Sequence, residues 1–184
     1  MRGASMFSIE PFEVSAGSLA MKEGSSRFRD VLTLLGQLNY TWTNTESLLI
    51  HLIAGLARVD METATVIFLT LNTSRARVDL VERLAKLDRT DADIRKDVLN
   101  VTRSMMSESR LRNKYNHCIY SFDDSGENVS TLLMRISDSG DRLKYGKVDA
   151  IDDAEIANIT SSINRLIATN REIWALAKKH GFPV

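Results

Sequence analysis

From Phe28 to Leu56 the apolar residues Phe28, Val31, Leu32, Leu35, Leu38, Trp42, Leu49, Leu52, Ile53 and Leu56 recur at steps of three and four. This spacing predicts a long helix with one buried stripe, capped by Ser25 or Ser26 and interrupted in its stripe at Thr45 and Glu46. Asp60 is placed to cap a second helix from Met61 to about Leu71. Ser74 caps a third, to about Leu87, through Val78, Val81 and Leu84. Thr90 or Asp91 opens a fourth, with acids in its first turns as the helix dipole prefers, running to about Tyr115 or His117. The period then changes. Ile119–Phe122, Thr131–Ile136 and Arg142–Val148 are β-prone pieces separated by Asp-Ser-Gly turns, and predict a small antiparallel hairpin or meander over about 119–149. Asp152 or Asp153 caps a last helix whose stripe is Ile156, Ile159, Ile163, Leu166, Ile167, Ile173 and Trp174. The fold class expected is all-α: an up-and-down bundle of about five helices with a β insert before the last. Residues 1–24 hold no sustained period and predict a flexible N-terminal arm, leaving 25–184 as a single domain.

Composition narrows this picture only a little. A chain of 184 residues suits one domain with a full core, and its 43% apolar and 26% charged residues are ordinary for a globular protein. Its 24 Lys and Arg balance 24 Asp and Glu. That argues against a binder that works by neutralising many phosphates, while leaving room for a local basic patch. Cys118 is the single cysteine, so no intrachain disulfide forms; with no signal-peptide pattern at the N-terminus, a cytoplasmic location is expected. No apolar run approaches the roughly 18–20 residues that span a bilayer. The two prolines, Pro11 and Pro183, lie near the ends, which suits uninterrupted helices between them.

One segment breaks its own pattern. At about 100° per residue, Ile94, Val98, Val101 and Met105 share a stripe on the fourth helix, and that stripe continues through Glu108 to Arg112. A permanent cation is thus aimed where apolar residues pointed, which is costly unless it is paired. Asn113 and His117, four apart, lie one above the other on the neighbouring face. An imidazole exchanges protons near neutrality, a guanidinium holds phosphate by parallel hydrogen bonds, and an amide can orient either. RNA hydrolysis needs only such parts, because the ribose 2′-hydroxyl is the nucleophile. A plainer reading of the same spacing is that Arg112 pairs with Glu108 within the helix and His117 caps its C-terminus.

Arg112-Asn113-Lys114-Tyr115-Asn116-His117 resembles the signature of the HEPN superfamily: Arg, a polar residue, three further residues, then His, near the end of a bundle helix. The resemblance covers roughly residues 26–180, taking in the long first helix with its internal acid Glu46, the short apolar helix and the amphipathic one before the motif. It implies a metal-independent endoribonuclease, a toxin or defence component without cofactor, in which Arg112 and His117 are the catalytic pair and Asn113 supports them. Glu46, as an acid on the first helix, is an implied partner of the motif, and Lys114 and Asn116 are further expected substrate contacts. The family also implies RNA as ligand, a homodimer with both motifs in one cleft, and a cognate antitoxin or nucleotidyltransferase partner. The alternative it leaves open is a non-catalytic module that binds protein, RNA or nucleotide through the same cleft.

The other candidates are plainer. His51 reads as a packed helical histidine and His180 as a cation in a last turn. Three scattered histidines and one cysteine give no zinc spacing. Arg75, Arg77, Arg83, Arg103, Arg110 and Lys114 form either a basic patch or, with Asp79, Glu82 and Glu108 among them, a mixed solvated surface.

Overall fold

A computed structural model describes residues 26–184 apart from 124–126, 135–136, 140 and 145. The expected arm over 1–24 lies outside them. The predicted helices form close to their predicted bounds, and Asp60 and Asp152 cap where the sequence places them, whereas Asp91 makes no side-chain cap bond at the start of the fourth predicted helix. Helix α1 spans Ser26–Ser47 and α2 spans Leu49–Ala57, so the long first helix is two segments. Leu48 between them keeps helical torsions. The break comes from three-residue hydrogen bonds, Leu48 N–H to Thr45 O and His51 N–H to Leu48 O, which tighten the coil just after the interrupted stripe.

Helix α3 (Met61–Thr70) starts at Asp60, whose carboxylate accepts from Thr63 N–H at 2.7 Å. Helix α4 (Ser74–Ala85) is capped one residue before the expected serine, by the Thr73 hydroxyl accepting from Ala76 N–H. Helix α5 runs Ala92–Asn116, and α6 (Asp153–Lys179) begins at Asp152, which accepts from Glu155 N–H at 2.9 Å. Helix α6 packs along α1 and α5, α2 packs on α3 and α4, and α4 packs on α5. Their apolar stripes meet in a core that includes Leu38, Trp42, Leu49, Ile53, Met105, Ile159, Leu166 and Ile173, each buried. Each large aliphatic side chain so buried contributes about 1.5–3 kcal/mol, which is what holds the helices together.

Between α5 and α6 lies the insert. Strands β1 (Cys118–Phe122), β2 (Val129–Leu133) and β5 (Val148–Ala150) form an antiparallel sheet in the order β1-β2-β5. Strands β3 (Ser137–Ser139) and β4 (Arg142–Lys144) pair separately as a small ribbon. The expected run Thr131–Ile136 therefore starts two residues early and stops at Leu133, and the run Arg142–Val148 is two strands. Gly146 sits at this division: a Cβ there would overlap the Leu133 carbonyl, so the backbone can approach β2 that closely only at glycine. Val129 and Thr131 turn inward, while Ile119 and Val148, at one level of the sheet through Leu132, are exposed. None of the helices among the described residues is long and apolar enough to cross a membrane.

Candidate functional site

Helix α5 carries the motif on two of its faces. Arg110, Asn113, Lys114 and His117, spaced at i, i+3, i+4 and i+7, line a cleft of about 1100 Å³ between α5, the start of α6 and the inner edge of the sheet. Thr131, Leu133 and Lys147 of the insert form the facing wall, so the insert is part of the cleft. His117 is the residue at which α5 ends. Its N–H reaches Lys114 O at 3.4 Å and its own carbonyl accepts from Met134 N–H at 3.1 Å, so its backbone is fixed from the helix and from the end of β2. The ring is exposed and makes no hydrogen bond among the described residues. Asn113 is exposed too, and Arg110 has no partner among the described residues.

Lys114 is less free. Its ammonium lies 2.6 Å from Glu155 on α6 and 3.8 Å from Asp149 on β5, and Glu155 also accepts from the Tyr115 hydroxyl at 2.5 Å. Burial pushes the Glu155 carboxyl up, but hydrogen bonds from Lys114, Tyr115 and Asn158 outweigh it and hold the group below the usual carboxylate range. Tyr115 moves the other way: burial, then the Glu155 carboxylate, raises its phenol and keeps it a neutral donor. Tyr120 on β1 donates to Tyr115 O at 2.7 Å, satisfying a carbonyl at the end of the helix. Four permanent cations line the cleft (Arg110, Lys114, Lys147 and Arg165) against three carboxylates (Glu108, Asp149 and Glu155). All three carboxylates are already engaged by Arg165, Lys147 or Lys114. Among the described residues, Arg110 and the His117 ring are the cleft's basic side chains that no internal partner engages.

Arg112 points elsewhere. Its guanidinium carbon lies 5.3 Å from the centre of the Trp42 ring on α1, a cation–π arrangement, and Nη1 donates to Asn113 Oδ1 at 2.9 Å. The Nε of Arg112 is buried with no hydrogen-bond partner among the described residues. Arg112 thus touches the cleft through Asn113, whose oxygen it engages, leaving the amide N–H₂ as the group free to donate. The plainer pairing of Arg112 with Glu108 does not form. Glu108, on the same stripe and buried, is instead taken by α6: Arg165 Nε and Nη2 reach its two oxygens at 2.7 and 2.9 Å, and Ser162 Oγ donates at 2.8 Å. Desolvation raises the Glu108 carboxyl, but these bonds and one from Ser107 leave it below its ordinary value.

Glu46 does not reach the motif either. It is buried, accepts from the Trp42 indole N–H at 3.0 Å, and is ion-paired with Arg77 on α4 at 2.9 Å. Its link to Arg112 runs through the Trp42 ring: the indole gives its N–H to Glu46 and its face to Arg112. Asn116 is exposed in the last turn of α5 and does not line the cleft. His51 Nδ1 lies 2.8 Å from Pro183 O with its ring against Trp174, and His180 pairs with Asp97 at 2.9 Å. Cys118 lines the cleft beside His117, its thiol directed to Tyr115 O. Among the described residues no group of three or more His, Cys, Asp or Glu is arranged to hold a metal ion. Two cleft residues were not singled out from the motif, Arg110 and Arg165. The signal for Arg110 was there, one turn and two turns before Asn113/Lys114 and His117 on the same helical face; nothing local marks Arg165.

Comparison of the chain with protein-family models, with curated proteins and with solved structures found no match.

Proposed function

We propose that the chain is a HEPN-like endoribonuclease that cuts RNA by attack of a ribose 2′-hydroxyl, acting as a toxin or defence component. The observation that carries this is the α5 face on which His117, Asn113, Lys114 and Arg110 converge into one large cleft. The reaction requires a proton to leave O2′, a proton to arrive at the departing O5′, and negative charge on the phosphorane oxygens to be balanced. An exposed imidazole with no hydrogen-bond partner among the described residues is suited to the proton transfers. Arg110 and the Asn113 amide are suited to the phosphate oxygens, and Arg112 orients Asn113 from behind. One His117 would have to serve as base and acid in turn. A second copy bringing its own His117 to the cleft would divide the two roles, so a homodimer is the expected active form.

The test is incubation of the purified chain with mixed RNAs in the presence of EDTA, beside Arg112→Ala, Asn113→Ala and His117→Ala. Cleavage is expected for the parent protein, with loss of at least about a hundredfold on removing His117. Cleavage that survives His117→Ala overturns the assignment. A second reading, a non-catalytic HEPN-like module that binds a macromolecule through this cleft, is favoured by the placement of Arg112 over Trp42 and out of the cleft. It predicts RNA or partner binding that depends on Arg110 and Lys114 with no product formed.

A further inference from the structure

The cleft contains a second arginine, Arg165, whose guanidinium is held by a buried carboxylate. Glu108 and Arg165 meet edge to edge, Nε and Nη2 on the two carboxylate oxygens at 2.7 and 2.9 Å. A guanidinium is planar and carries five N–H donors, so using two on one edge directs the other three away from that partner. Here the arginine side chain is 55% exposed, whereas the glutamate side chain is 7% exposed. The carboxylate is the buried anchor and the guanidinium is the presented group. The pair offers limited net stability, because the buried carboxylate must be desolvated while the half-exposed guanidinium keeps its hydration. What the arrangement does deliver is a cation held by two hydrogen bonds on the α6 wall of the cleft, which Arg110 lines from α5.

We infer that Arg165 is a phosphate-binding residue of this cleft, with Glu108 as its positioning residue, and that it grips the RNA strand away from the bond that is cut. The inference rests on the reading of the cleft as an RNA site. Its location sets the register. Arg165 is held at the level of Glu108, nine residues before His117 on α5, or about 13 Å along the helix axis at 1.5 Å per residue. The phosphate it meets is therefore not the one beside the imidazole. Arg110, without a partner among the described residues, lines the same cleft on the α5 face that carries Asn113 and His117.

Binding is measured by fluorescence anisotropy of a labelled single-stranded 2′-O-methyl RNA, which has no 2′-hydroxyl and cannot be cut by this route. The full-length chain is compared with Arg165→Lys and with the double variant Glu108→Gln/Arg165→Gln, whose two amides can still hydrogen-bond each other. Arg165→Lys, which keeps the charge and loses the fork, should weaken binding several-fold without moving the thermal midpoint. The double variant should weaken it about tenfold and reduce the slope of log K against log salt by about 0.7, the share of one single-strand phosphate contact. Wild-type affinity and slope in both variants, or no binding of the strand by the parent protein, overturns the inference. Binding that depends on Arg165 with no cleavage of ordinary RNA would uphold it and defeat the nuclease reading. Cleavage of ordinary RNA with an unchanged KM in both variants would do the reverse.

Discussion

Replacing Glu46 separates its structural work from any role at the cleft. Its carboxylate is 7% exposed, lies 2.9 Å from an Arg77 side chain that is 19% exposed, and takes the indole N–H of a fully buried Trp42. Glu46→Leu strands both donors. Removing one member of a buried ion pair costs about 3–5 kcal/mol, and leaving the indole N–H unmet adds about 1–3 kcal/mol. Arg77 keeps the carbonyls of Phe68 and Leu71 at 3.1 and 2.9 Å and stays over the Phe68 ring, which holds the ion-pair part to the lower half of its range. Glu46→Gln retains one acceptor and turns an N–H₂ toward the other donor, so about 2 kcal/mol is expected. Urea unfolding followed by circular dichroism gives both values. Adding Arg77→Met should recover only part of the loss, since it removes the stranded charge but also the donor to the Phe68 and Leu71 carbonyls. Because Glu46 meets Arg112 only through the Trp42 ring, Glu46→Gln should leave RNA affinity and cleavage by the folded fraction within about twofold, a change of under 0.5 kcal/mol. A Glu46→Gln protein of undiminished stability that no longer acts on RNA would refute the placement.

Two further outcomes follow from the same contacts. Gly55→Ala puts a methyl into the Phe182 ring, which must then leave its seat on α2; a loss of about 1–3 kcal/mol in the unfolding free energy and faster carboxypeptidase trimming of the tail are expected, and an unchanged midpoint would contradict the contact. Glu108 and Glu155 are both held below the ordinary carboxylate range in the fold, so the unfolded chain binds more protons as pH falls. Their stabilisation is complete above the ordinary glutamate range and is lost as the pH falls through their lowered values in the fold. Urea midpoints measured from pH 7 to pH 3 should show that fall, and Glu108→Gln/Arg165→Gln should flatten it.

Three of the helices, α3, α4 and α6, were legible because each begins with a side chain that caps its own backbone within three residues, as Asp60, Thr73 and Asp152 do; α1, α2 and α5 were legible from their apolar spacing alone. Strand bounds were less so. Pairing of β2 with both β1 and β5 is a contact between distant segments, and the close pass of Gly146 by Leu133 has no local signature. At the site, the helical wheel placed Asn113 and His117 together and sent Glu108 and Arg112 toward the interior. It was silent on what met them there. Arg165 lies 57 residues from Glu108, and Trp42 lies on another helix from Arg112, so neither partner is implied by spacing along α5. A linear motif also weights Arg112 above Arg110, whereas the helix turns Arg110 into the cleft and Arg112 onto an aromatic face.

The hold on His117 from β2 bears on which changes of length this chain can absorb. Met134 N–H, Tyr120 and Leu133 join the end of α5 to strands that precede and follow the turn regions, so the imidazole's position depends on the sheet being in register. A residue added or removed at 117–119 would rotate the whole of β1 to its opposite face and carry the helix end with it. Residues inserted between Asp123 and Asn128 leave the pairing of β1 with β2 and that junction as they are. Tags, reporters or shuffled loops therefore belong between those two residues, and a version trimmed of residues 118–150 should not be used as a minimal form of the cleft.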